Sequence, residues 1–209
     1  MDSIFKITPI RNNKLQKYKE KAIKELNEFF DYNWTDHTPQ IVVVDDRKTI
    51  DLLREEKTKN WDVGWGWGYV IFILRPENIS KESCYDGSTF NIYHLIKHEL
   101  CHSFFESKFG ISNFLWINEG VSVFVAGQTD KYNMPRKFHG FLDGYYVYQE
   151  SGNAIKLLMD KYGKEKLFEF FEKQSGIKTD KELGIVFKKI FGNKLSYEFF
   201  NKLKDKNLK

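Results

Sequence analysis

The sequence predicts an α+β fold in one domain over residues 1–209: a small N-terminal β-sheet with helices, then a helical C-terminal subdomain. Apolar runs that read as strands, Gln40–Val44 and Val70–Leu74, fall early in the chain. Beyond Ser88 the apolar spacing becomes helical, with breaks around Gly110, residues 127–135, Gly152, Gly163, Gly176 and Gly192. No repeat, low-complexity tract or proline-rich linker separates the two patterns. They read as parts of one unit, an α/β part over about residues 1–108 and a helical part over about 109–209.

The first element is an amphipathic helix over residues 15–30, where Leu15, Tyr18, Ala22, Ile23, Leu26, Phe29 and Phe30 recur at helical spacing. The β-branched run Gln40–Val44 follows as a strand, and Asp45 and Asp46 then open a short helix through Ile50 and Leu53. In residues 61–76, Gly64, Gly66 and Gly68 alternate with Trp65, Trp67 and Tyr69 before the strand Val70–Leu74, which ends near Pro76. Three glycines suggest a phosphate cradle, but such loops follow a strand and open a helix, and these precede one. Trp65 and Trp67 read as core and strand filling. The functional alternative is a strand rim to which an extended substrate adds by backbone hydrogen bonding. A helix over residues 89–105 begins the second pattern.

Bulk composition narrows the function. The 33 Lys and Arg are interleaved with 29 Asp and Glu, so the formal charge of +4 describes a solvated surface. The nearest approach to a basic stripe is residues 202–209, and no nucleic-acid partner is expected. Cys84 and Cys101 are too few for a disulfide framework and read as free thiols. The first residues carry an acid at Asp2 and no apolar stretch of signal-peptide length, and the apolar run 69–74 is far too short to span a bilayer. A cytoplasmic protein with no membrane partner is the expectation.

The chemistry concentrates in His98-Glu99-Leu100-Cys101-His102, within the run 89–105. Imidazoles four residues apart share a helix face and can reach one ion about 2 Å away. Glu99, one residue along, can face the ion's open position without ligating it, as a general base must. The bland reading is a pair of surface or core histidines beside a salt-bridging acid. His94 extends the row one turn upstream, and His94 with His98 could also chelate; only His98 with His102 has a glutamate in the general-base slot. Cys101 faces away from His102 and reads as a small core hydrophobe. After Gly110 the chain restarts as Phe114-Leu115-Trp116-Ile117-Asn118-Glu119-Gly120, an apolar stretch with one acid. A carboxylate there is costly unless it is paired or binds metal.

His98-Glu99-Leu100-Cys101-His102, followed after sixteen residues by Glu119 within Trp116-Ile117-Asn118-Glu119-Gly120, resembles the gluzincin branch of zinc metallopeptidases, especially compact peptidase MA-like members. Residues 148–163, with their Tyr-Gly exit, resemble the helix after the third ligand in those proteins. The resemblance covers roughly residues 60–200 and is strongest at the two motifs.

It implies a zincin-like fold, an active-site helix and one Zn2+ per chain held by His98, His102 and Glu119, with Glu99 as the catalytic acid/base and a water in the fourth position. It also asks for a neutral donor to the developing oxyanion: Tyr148 first, ahead of Tyr145 and Tyr146, with His139 an outside candidate. Some gluzincins place an acid four residues after the glutamate ligand to hold a zinc histidine; here that residue is Val123, and Glu106 or Asn118 are the substitutes on offer. The implied activity is hydrolysis of a peptide or protein substrate by a monomer, as an endopeptidase rather than an aminopeptidase, since no amine-anchoring motif is recognisable. The rivals are a regulatory zinc protease specific for one partner, and a latent or non-catalytic zinc-bound interaction module.

Overall fold

The computed structural model of the chain describes residues 5–207, so Asp2 and the last two residues of the basic tail lie outside it. It is α+β, with a three-stranded sheet and helices through most of the remainder. The chain divides into two units, Met1–Ser103 and Phe104–Lys209, and the dividing point falls inside a helix. Among the described residues no helix is long and apolar enough to cross a membrane.

In the first unit, α1 (Asn13–Phe30) begins where the Asn12 side chain accepts the Leu15 amide at 3.0 Å. Its buried stripe is Leu15, Ala22, Leu26 and Phe30. Strand β1 (Gln40–Val44) leads into α2 (Arg47–Arg54), capped by Asp46 through the Thr49 amide at 2.8 Å. The glycine-tryptophan segment then departs from the expected single strand. It forms a hairpin, β2 (Gly64–Trp67) and β3 (Val70–Leu74), whose two-residue turn starts at Gly68 with φ +60°. A glycine at the first central position supplies the positive φ such a turn needs.

The sheet order is β1-β3-β2, with β1 parallel and β2 antiparallel to β3. Central β3 buries Ile71, Phe72, Ile73 and Leu74 in succession, as a strand covered on both faces should. On edge strand β2, Trp65 stacks on its cross-strand partner Phe72 at 4.8 Å, whereas Trp67 is 70% exposed. A 3₁₀ turn (Pro76–Asn78) and the short α3 (Ile79–Glu82) lead to α4 (Ile92–Phe109), which starts and ends a few residues later than periodicity alone suggests.

The second unit contains α5 (Leu115–Val125), α6 (Thr129–Tyr132), a 3₁₀ turn (Phe141–Asp143), α7 (Val147–Gln174), α8 (Asp180–Phe191) and α9 (Tyr197–Asn207). Its core is a network of rings: Trp116, Phe138, Phe141, Phe170, Phe187 and Phe200 are buried and meet mostly edge-to-face. Gly163 breaks α7 at φ 79° and ψ 170°, as expected. Gly152 does not break it. A Cβ there would overlap Val123 of α5, and one at Gly120 would lie 2.9 Å from the Ser151 carbonyl. The two glycines let α5 and α7 approach closely.

Candidate metal centre

Helix α4 carries His98, Glu99 and His102 through a largely buried stretch. Within the first unit it is tied to α1 by Glu25, which accepts from the Tyr93 hydroxyl at 2.7 Å and from Lys97 at 2.5 Å. Burial is the largest single influence on Glu25 and raises it, but the Lys97 and Tyr93 hydrogen bonds and the Lys97 and Lys21 charges outweigh it, leaving the carboxyl below its ordinary value. Tyr93 moves the other way, pushed up by burial and then by the Glu25 carboxylate. The face of β2 that lacks side chains makes room for Glu99: a Cβ on Gly64 would sit 2.9 Å from Leu95 Cδ1 and 3.2 Å from Glu99 Oε1. Glu99, 6% exposed, therefore owes its position partly to a glycine.

The sequence spacing of His98 and His102 becomes a real juxtaposition, with their Nε2 atoms 3.1 Å apart and the rings inclined at 81°. Two nitrogens bound to a tetrahedral zinc at about 2.05 Å lie about 3.3 Å apart, so the histidine pair has the right separation. Glu119, half-buried on α5, completes the group: the His98, His102 and Glu119 ligand atoms all lie within 4.8 Å of one another and could hold a metal ion. Two imidazoles and one carboxylate are donors of the kind that suit a divalent transition-metal ion such as zinc. Gly120, next to Glu119, lets α5 press on α7 at Ser151, which fixes the helix that carries the acid.

Other sequence candidates are dispersed. His94 is half-buried one turn upstream and is not part of the group. Cys101 is fully buried, as a core hydrophobe should be, and both cysteines are free. Glu106 is exposed, Asn118 donates to the Ser112 carbonyl at 3.1 Å in the turn before α5, and Val123 packs at Gly152. Tyr148 lies half-buried in the first turn of α7, and Tyr145 and Tyr146 are exposed. The Tyr146 ring lies 4.9 Å from that of His139.

Two residues of the second unit escaped the sequence reading. Tyr132, half-buried in α6, is pushed up by burial and then by the Glu119 charge, so it lies within electrostatic reach of that carboxylate. Residues 127–135 read only as a break, and nothing in their pattern marks a tyrosine. Glu150 is 2% exposed in the first turn of α7, accepts backbone N–H groups of His139, Gly140 and Phe141 at 3.1, 3.1 and 3.3 Å, and pairs with His139 Nδ1 at 2.9 Å. A lone acid beside Val147 and Ser151 was a signal, but its donors come from irregular backbone nine to eleven residues upstream.

Compared with models of known protein families and with curated protein sequences, the chain gives no match.

Proposed function

We propose that the chain is a zinc-dependent peptide hydrolase, with His98, His102 and Glu119 as metal ligands and Glu99 as general base. One observation carries this reading: residues far apart in sequence, chosen for metal chemistry, converge on a group able to hold an ion. A zinc ion bound there would polarise a substrate carbonyl and lower the pKa of a coordinated water. In this reading Glu99, buried beside Gly64 of β2, takes a proton from the nucleophile and passes it to the leaving amine. Tyr148 is the proposed neutral donor to the developing oxyanion. The edge strand β2, with one long side unpaired by the sheet, offers backbone groups to an extended peptide. A monomeric cytoplasmic endopeptidase is the form of this reading we favour over an aminopeptidase.

The test is a digest of a mixed peptide library by wild type and Glu99→Gln, each with its zinc content measured. The reading expects about one zinc per chain in both and a rate at least about 10³-fold lower in the variant. Undiminished hydrolysis by Glu99→Gln removes the assigned base; absence of zinc after its addition removes the centre.

A further inference from the structure

The second unit contains a cavity of about 490 Å³ lined by Tyr132, Arg136, Lys137, His139, Tyr146 and Glu150, with Pro135 and Gln149. That is ample for a peptide's terminal residue. Its charge balance is unusual. The Glu150 carboxylate is consumed at the wall by three backbone N–H groups and the His139 ring. With Nδ1 of His139 turned to Glu150, and also 3.0 Å from the Lys137 carbonyl, Nε2 is the ring nitrogen left for a ligand, and the His139 side chain is 56% exposed. Arg136 and Lys137 bring two cations, and neither side chain has a partner among the described residues. The hydrogen-bonding capacity of the one acid on the wall is thus taken up by the fold, and the Arg136 and Lys137 side chains are left to face a ligand.

The loop that carries these groups is held from behind. Asn201 of α9 exchanges hydrogen bonds with both the amide and the carbonyl of Phe138 at 2.9 and 3.0 Å, Lys204 donates to the Arg136 carbonyl, and the Tyr197 hydroxyl reaches Asp143 at 2.6 Å. Such a brace pre-organises the cationic wall. The cavity also adjoins the third metal ligand. Glu150 precedes Ser151, whose carbonyl packs on Gly120, the residue after Glu119.

From this geometry we infer that the cavity binds the free α-carboxylate of a peptide's C-terminus, held by Arg136, Lys137 and His139. Arginine pairs with a carboxylate through two parallel hydrogen bonds, which gives such a site orientation as well as affinity. The peptide character of the ligand rests on the hydrolase reading above, with the cavity taking the C-terminus of a substrate or of a product released by internal cleavage. The carboxylate preference of the cavity stands on its own.

Calorimetric titration of full-length Glu99→Gln protein with N-acetyl-dialanine, its C-terminal amide and acetate tests this, each with zinc present and with chelator. The acid should bind at least about tenfold more tightly than the amide and than acetate. The double substitution Arg136→Gln, Lys137→Gln, at two exposed side chains, should abolish that preference, and His139→Gln should reduce it. Equal binding of acid and amide overturns the inference. So does a preference that survives the double substitution and vanishes with chelator, which would place the carboxylate on the metal. Zinc content and wild-type hydrolysis, measured in parallel, report separately on the hydrolase: their failure with the acid preference intact overturns that reading and supports the carboxylate preference of the cavity alone.

Discussion

Glu119 and Glu150 are two acids in helices of one unit, and the protein answers their charges in opposite ways. Glu150 is almost fully buried and meets three backbone amides and an imidazole, so the fold itself supplies its hydrogen-bond partners. Glu119 is half-buried and shares its surroundings with the ring nitrogens of His98 and His102. Neutral imidazoles and a carboxylate assemble around a cation, whereas N–H donors assemble around an anion. The surroundings of a carboxylate thus separate a structural acid from a candidate metal ligand where sequence shows only an acid in an apolar run.

That contrast can be broken by exchange of consequences. Glu119→Gln is expected to weaken zinc binding by about a hundredfold or more, read by competition with a chromophoric chelator, with little change in the stability of the zinc-free chain. Glu150→Gln should do the reverse: removing the charge that three buried amides and His139 share costs about 2–4 kcal/mol in denaturant unfolding, with zinc affinity kept. Gly64→Ala sharpens the comparison at Glu99, the proposed general base. The added Cβ presses on Leu95 and Glu99, so hydrolysis should fall by about tenfold or more while zinc stays bound.

The smallest effect belongs to Glu25. Its carboxyl lies below its ordinary 4.5 in the folded chain, so its contribution is fully present above that value and is lost as pH falls through the lower folded value. The carboxylate is a third exposed, so Glu25→Gln should cost about 1 kcal/mol at neutral pH. The gap to wild type in denaturant unfolding should close as the pH is lowered below 4.5.

Much of this was legible in the chain. Helix α1, both outer boundaries of β1 and the Asp46 cap follow from periodicity and cap chemistry, because each is decided within a few residues. The histidine pair was readable for the same reason, since helical spacing alone brings the two rings together. What failed depended on contacts distant in sequence or on glycine's ambiguity. The Gly-Trp alternation continues through Gly68 and conceals the hairpin turn, and Gly152 reads as a breaker although it serves a close helix contact. Glu150 and Tyr132 were missed because their partners come from loops and short turns that carry no periodic signal.

The most direct test of the account is the zinc stoichiometry of wild type, Glu119→Gln and Glu150→Gln after zinc addition and buffer exchange through a weak chelator. About one zinc per chain in wild type and Glu150→Gln, with little in Glu119→Gln, is the predicted result. Full zinc retention by Glu119→Gln, or none in the wild type, would contradict it.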